Sequence, residues 1–205
     1  MAIERFEDLD LTRRYTYADY LSWRFEERVE LFKGWVARMA GPSTYHQRIS
    51  TSLLQHLANT LRPFGCEVFA APTDVVIARS PDGDTVVQPD LLVVCDVSKI
   101  TKQYIDGAPD FIVEIVTPQR GPTASGAPHC VVGNGKKELD KKYKQYEAAG
   151  VREYWVVHPD DQTVLRYVLG EDGRFVGQEP RTVDSEEIGA SVFDNLVLSG
   201  AQIFP

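Results

Sequence analysis

Apolar residues change their spacing several times along this chain, and each change predicts an element. Thr16 stands before Tyr17, Tyr20, Leu21 and Phe25 at helical spacing, with Asp19 three residues on as a capping partner. A short first helix is expected there. Arg28 to Phe32 and Trp35 to Met39 flank Lys33-Gly34, where glycine meets the positive φ of a tight turn, so these residues predict a hairpin. From Ser43 the apolar positions Ile49, Leu53, Leu54, Leu57 and Leu61 follow a helical period until Pro63 and Gly65 end it. Beyond this point the spacing falls to two or to continuous apolar runs. Candidate strands are Glu67 to Ala71, Asp74 to Ala78, Leu91 to Cys95, Phe111 to Val116 and Tyr154 to Val157. Ser80-Pro81-Asp82-Gly83-Asp84 reads as a turn, and Thr117 to Gly135 as a Gly/Pro-rich loop. A helix is predicted over Lys136 to Ala149 with Gly150 as its left-handed stop, then a small hairpin around Gly170 to Gly173 and an irregular tail to Pro205. No internal repeat is visible.

Composition narrows the picture. The 205 residues, 43% hydrophobic and 25% charged, are those of a globular chain, and the length predicts a single domain over 1–205. A net charge of −8 excludes a global positive field that would draw the protein to nucleic acid or anionic lipid. Charge is uneven, however: Thr117 to Lys144 holds six basic residues against two acidic ones, whereas His158 to Pro205 holds nine acids and three arginines. A phosphate backbone would have to be met by the basic segment. The three cysteines, Cys66, Cys95 and Cys130, are odd in number and lack Cys-x-x-Cys spacing, so neither a disulfide framework nor a zinc ribbon is expected, and a reducing, cytoplasmic setting is. Met1 to Asp10 lacks the apolar core of a secretory signal, and no apolar stretch is long enough for a membrane span.

Chemistry is suggested where charge interrupts apolar runs. Phe111-Ile112-Val113-Glu114-Ile115-Val116 places a carboxylate inside an apolar strand, where an unpaired charge must find a partner or neutralise. Glu114 could meet a lysine or arginine, reach water at an edge, or bind a hard cation such as Mg²⁺. In Gln88-Pro89-Asp90, proline fixes the chain just before Asp90 and the next strand begins at Leu91. Pro-Asp alone is a common turn dipeptide, but two neighbouring strands could converge Asp90 and Glu114 on one ion. Phosphodiester cleavage with Mg²⁺ often adds a lysine near the attacking water. The strand offers Val116 at the next position on the face of Glu114, so the helix must supply it. With Leu139 as origin and 100° per residue, Leu139, Tyr143, Tyr146 and Ala149 span about −80° to +40°, and Lys142 falls inside this stripe at about −60°. Lys137, Lys141 and Lys144 point away, with Lys136 at the margin; a snorkelling Lys142, or one paired with Glu138, is the plain alternative.

Other signals carry less. Gly133-Asn134-Gly135-Lys136-Lys137 lacks the spacing and hydroxyl of a Walker A loop, although its amides could meet a phosphate at the helix start. His129-Cys130 has no partners at zinc spacing, and His46 and His56 share no ligand face. Tyr154 and Trp155 alternate along their strand.

Val29-Glu30-Leu31 with Gly34, His46 leading a Leu-rich helix, Pro89-Asp90, Pro109-Asp110 running into Phe111–Val116, Lys142 with Tyr146, and Gly150-Val151-Arg152-Glu153-Tyr154-Trp155 resemble the Uma-type putative restriction endonuclease family of the PD-(D/E)XK nuclease superfamily. The resemblance covers nearly the whole chain. It implies an α/β (α+β), restriction-endonuclease-like fold: a central mixed β-sheet flanked by helices, with an N-terminal helix and hairpin. It also implies a metal site from Asp90 and Glu114 with Ile115, an ion that is Mg²⁺ with Mn²⁺ as the alternative, and a motif lysine moved from the strand to Lys142. Glu30 matches a family position near the site, where it would contact metal or water; a surface hairpin carboxylate is the other reading. Asp74 is a weaker candidate. Thr117-Pro118-Gln119 departs from the usual Ser-Pro-Ser, and the loop that follows is longer than the family norm.

The function expected is a metal-dependent endonuclease hydrolysing DNA phosphodiesters, with Asp90, Glu114, Lys142 and Glu30 in the site and a homodimer as the form that would cut both strands. Val116 in place of a strand lysine, with the net charge of −8, also fits a catalytically inactive nuclease-like binding or scaffolding protein. A hydrolase of small phosphoesters using the same carboxylates is a third reading.

Overall fold

The structure is a computed structural model that describes residues 3–81, 83–117, 136–177, 181–182 and 187–205, with the backbone alone over 136–138. The expected 117–135 loop, including Arg120, His129, Cys130 and Gly133-Asn134-Gly135, lies outside the described residues apart from Thr117. So do the side chains of Lys136, Lys137 and Glu138.

Local chemistry explains most elements. In α1 (Tyr17–Leu21) the Thr16 hydroxyl accepts from the Asp19 N–H while the Asp19 carboxylate accepts from the Thr16 N–H, a closed capping box. Strands β1 (Val29–Phe32) and β2 (Trp35–Arg38) form the expected hairpin, with Lys33 and Gly34 both at positive φ, 52° and 80°. Gly34 is also required by space, because a Cβ there would lie 2.7 Å from Arg14 Cβ and 2.9 Å from the Tyr15 nitrogen. Helix α2 (Thr44–Leu61) is capped by Ser43, whose side chain accepts from the His46 N–H, and buries Ile49, Leu53, Leu57 and Leu61 along one stripe.

The remaining strands are β3 (Glu67–Ala70), β4 (Val75–Ala78), β5 (Thr85–Val87), β6 (Leu91–Val94), β7 (Ile105–Asp106) and β8 (Phe111–Ile115), followed by α3 (Lys136–Ala149). Then come β9 (Glu153–His158), β10 (Thr163–Leu169), β11 (Phe175–Gly177), β12 (Arg181–Thr182), β13 (Ile188–Gly189), β14 (Val197–Leu198) and α4 (Gly200–Ile203). The larger sheet runs β11-β10-β9-β8-β6-β3, with β12 beside β10, and is mixed because β8 and β9 are parallel while its other pairs are antiparallel. The second sheet runs β2-β1-β5-β4-β7. The N-terminal hairpin is thus one edge of a five-stranded layer.

Alternate residues of the larger sheet face two cores. Leu91, Val93, Phe111, Val113, Ile115, Trp155 and Val157 pack with α2, while Leu92, Val94, Ile112, Tyr154 and Val156 pack with Tyr146 of α3. Glu114 shares the second face, between Ile112 and Val116 by strand alternation. Among the described residues no helix is long and apolar enough to cross a membrane.

The structure corrects three sequence expectations. Strand β5 is fully buried and is not among the expected strands, because Asp84 and Gln88 bracket only three residues. The tail is not irregular: β13, β14 and α4 close onto α2, with Leu196, Leu198 and Ile203 in its core. What holds this tail is Glu153, whose carboxylate, fully buried, accepts from the Ser191 and Val192 N–H groups at 2.6 and 2.9 Å and from Trp155 Nε1 at 2.6 Å. Cys66 and Cys95 form a disulfide, contrary to the expectation from their number. The Glu67↔Val94 register of β3 and β6 sets them directly opposite each other, a cross-strand relation that a cysteine count does not contain.

Glu153→Ala would leave the buried Trp155 N–H and the less enclosed Ser191 and Val192 N–H groups without their acceptor, so a loss of ~1–3 kcal/mol is expected in a denaturant melt. A loss below ~0.5 kcal/mol would show that the tail is held by apolar packing alone.

Candidate active site

The site forms where the chain passes from one sheet to the other. Strand β5 ends at Val87, Gln88-Pro89-Asp90 makes the crossing, and β6 begins at Leu91. Gln88 is locked on both sides: its Oε1 accepts from Arg28 at 2.8 and 3.0 Å, and its Nε2 donates to Asp74 Oδ1 at 2.8 Å and to the Tyr20 hydroxyl at 3.1 Å. Asp74 therefore belongs to the support of this crossing and takes no part in the acidic cluster. Proline contributes no N–H to the crossing, and the Gln88 N–H donates to Glu30 Oε1 at 2.8 Å.

Asp90 and Glu114 meet by register. Leu91 pairs with Val113, Leu92 with Ile112 and Val93 with Phe111, so the same ladder carried one residue further sets Asp90 opposite Glu114. Opposed residues in an antiparallel pair have Cβ atoms about 4.5–5.5 Å apart. The Ile115 N–H donates to Asp90 Oδ2 at 2.7 Å, which ties the aspartate to the strand of Glu114. Ile115 enters the cluster through this backbone group.

Helix α3 supplies the cation. Lys142 Nζ lies 2.9 Å from Glu114 Oε1 and 3.0 Å from Glu30 Oε1, and the lysine is 1% exposed, so the inward orientation given by the helical face is correct. One turn further, the Tyr146 hydroxyl donates to the same Glu114 oxygen at 2.6 Å. Glu30 is fully buried, which removes the surface-hairpin reading. Its strand is enclosed because the second sheet packs across α3 and the N-terminal segment, leaving no solvent edge at Val29–Phe32. Lys141 and Lys144 are exposed, as their helical positions require.

His46 is the member that sequence reasoning did not place here. It is 5% exposed, and Nε2 lies 3.1 Å from Asp90 Oδ2. Its signal was available: it stands three and seven residues before Ile49 and Leu53, on the buried stripe of α2. Tyr146, one turn after Lys142, was legible in the same way.

Among the described residues, Glu30 and Glu114 thus hold one ammonium between them, and Asp90 stands across the ladder from Glu114. Each anchors one oxygen to protein: Glu30 and Glu114 through Oε1, Asp90 through Oδ2. Glu30 Oε2 is buried and takes no hydrogen bond among the described residues. Burial pushes the Glu114 carboxyl up to about 7; the Lys142 ammonium opposes this, while the negative charges of Asp90 and Glu30 add to it. Burial also raises the Tyr146 phenol well above its ordinary range, so it remains a neutral donor to Glu114.

No group of three His, Cys, Asp or Glu side chains among the described residues is arranged as a metal cage. The donor set nevertheless fits a hard divalent ion, since Mg²⁺ keeps several waters and takes one or two carboxylates together with substrate phosphate. Excess buried negative charge and the orphaned Glu30 oxygen both favour an added cation or proton.

Comparison with known proteins matches residues 17–199 to the family model described as Uma2, putative restriction endonuclease. A crystal structure from Anabaena variabilis ATCC 29413, described as a putative nuclease belonging to DUF820, superposes with a TM-score of 0.67 at 19% identity. The match covers 92% of this chain and 97% of that one. The comparison with curated proteins gives no match.

Between its ordinary value of 4.5 and about 7, Glu114 holds in the native state a proton that the unfolded chain has released. Its contribution to stability is therefore complete at low pH and is lost as pH rises through this window. Metal-free protein should lose melting temperature from about pH 5 to about pH 8 relative to Glu114→Gln, which lacks this group. Parallel pH profiles for the two proteins would refute the shift.

Proposed function

Because the chain belongs to the Uma2 putative restriction endonuclease family, we propose that it hydrolyses DNA phosphodiester bonds with a divalent cation held by Asp90 and Glu114. The observation that carries this reading is the buried Lys142 ammonium, clamped between Glu30 and Glu114, with Asp90 across the ladder from Glu114. Bridging to a strand lysine is not needed, since helix α3 brings its own.

Asp90 and Glu114 would hold Mg²⁺ or Mn²⁺, beside the backbone of Ile115. When bound, the ion would polarise a phosphoryl oxygen and lower the pKa of its water. Lys142 keeps positive charge next to the oxygens where negative charge develops, and its two carboxylate contacts fix where that charge sits. Glu30 holds the ammonium together with Glu114, and Tyr146 restrains the Glu114 carboxylate by donating to the oxygen that meets Lys142. Asp90, with 11% of its side chain exposed, is the acid through which substrate reaches the cluster. The backbone would lie along the face of α3 that exposes Lys141 and Lys144. Cleavage of both strands would take two copies of the chain.

A nuclease-like binding protein without catalysis is the second reading, favoured by the lack of a three-ligand cage among the described residues. Plasmid, linear duplex, single-stranded DNA, RNA and nucleotide substrates with Mg²⁺ or Mn²⁺ separate the two. Cleavage of duplex DNA is expected, falling ~10²-fold or more in Asp90→Asn and in Lys142→Ala. Calorimetry should show Mn²⁺ binding to wild type and none to Asp90→Asn. Absence of both cleavage and ion binding in wild type would leave the binding protein, and cleavage of nucleotides alone would move the substrate class.

A further inference from the structure

His46 is a buried imidazole with one ring nitrogen on a carboxylate and the other on nothing. Nε2 lies 3.1 Å from Asp90 Oδ2, and among the described residues Nδ1 is enclosed without a hydrogen-bond partner. Nε2 is thus the ring nitrogen that lies within ion-pair distance of the carboxylate, and a hydrogen carried there is the one that can reach Asp90. The same Oδ2 already accepts from the Ile115 N–H at 2.7 Å. A backbone N–H on β8 and the imidazole on α2 therefore meet the same carboxylate oxygen from two elements. The other oxygen, Oδ1, makes no hydrogen bond among the described residues.

The placement of the ring is built rather than incidental. Its own backbone N–H is taken by the Ser43 side chain at the helix cap, and the following buried positions Ile49 and Leu53 seat α2 on the sheet core. The histidine thus approaches Asp90 from the face of the sheet opposite α3, while Lys142 and Tyr146 approach Glu114 from the α3 face. The two carboxylates are oriented by groups on opposite layers.

We propose that His46 is a positioning residue that decides which oxygen of Asp90 is presented to the divalent cation. The assignment rests on Asp90 being an ion ligand, as argued above. Partners that orient the ligands of a metal are commonly worth 10–100-fold in affinity.

Four proteins test it: wild type, His46→Gln, His46→Leu and Asp90→Asn, each titrated with Mn²⁺ alone by calorimetry. His46→Leu keeps apolar bulk and loses the donor, and its affinity should fall about 10–100-fold. His46→Gln retains a side-chain N–H and should recover most of that loss, while the metal-free melting temperatures of the two variants stay alike. With DNA, His46→Leu should lower kcat with little change in KM. Equal affinity in His46→Leu and wild type, or an equal loss in His46→Gln and His46→Leu, overturns the proposal. A readout without the ion is the ¹⁵N spectrum of the ring, which should show a hydrogen on Nε2 that is perturbed by Asp90→Asn and not by Lys142→Ala; a hydrogen on Nδ1 also overturns it. Should wild type and Asp90→Asn be equally silent toward Mn²⁺ while the Nε2 hydrogen is present, the ion-ligand reading of Asp90 itself fails and the positioning role falls with it.

Discussion

A lysine ammonium with 1% exposure, held between Glu30 and Glu114, is the constraint around which the rest of this structure is arranged. Moving such a charge out of water costs several kcal/mol even after relaxation, and the cost is recovered only when its partners are close and correctly placed. Those partners come from β1 in one sheet and β8 in the other, and the charge itself from α3. Removing any one of the three leaves uncompensated charge in the interior. The cluster therefore ties the two sheets and α3 together alongside the apolar packing. The Gln88-Pro89-Asp90 crossing shows the same economy: the residue that hands the chain from sheet to sheet also hands an N–H to Glu30 and an acid to the site.

How much of this was legible depended on local contrast. Glu114 could be found because it interrupts an apolar strand, and Lys142 because it interrupts an apolar helical stripe; in each case the sequence neighbours define the face. Glu30 sits in an equally apolar run, Val29 to Phe32, but hairpin strands are often open on one side, and it is α3, through Lys142, that closes over this one. His46 and the Cys66–Cys95 pair were harder. A histidine on a buried stripe reads as core, and what distinguishes it is the oxygen 3.1 Å away, forty-four positions later, just before β6. The cysteines are opposite only once β3 and β6 have chosen their register. The elements themselves were read best where caps and glycines mark their ends, and worst for β5 and the tail, which depend on partners from elsewhere in the chain.

Fold and chemistry have separate supports here. At 19% identity the Anabaena variabilis structure establishes shared architecture and says nothing of individual side chains. The site is argued instead from a substitution of geometry: Val116 occupies the strand position where a lysine would be sought, and α3 places Lys142 against the same carboxylate from above. An ammonium is defined for electrostatics by where its nitrogen lies, so delivery from a helix or a strand is equivalent if Nζ reaches the same oxygen. Tyr146 adds to this equivalence, because a helix offers a second group one turn on, at 2.6 Å from that oxygen.

The net charge of −8 overstates the repulsion a polyanion would meet. Glu30 and Glu114 are buried against Lys142, Glu153 is enclosed by three N–H donors, and Glu114 is shifted toward its neutral form. These acids enter the formal sum but project little field into solvent. Lys141 and Lys144, by contrast, are exposed on the helix that carries Lys142 inward. Surface charges more than a Debye length apart, ~8 Å at physiological salt, are largely screened from one another. What a phosphate backbone encounters is then set by the nearest face, and here α3 presents Lys141 and Lys144 to the outside on the same helix that turns Lys142 to the acids within.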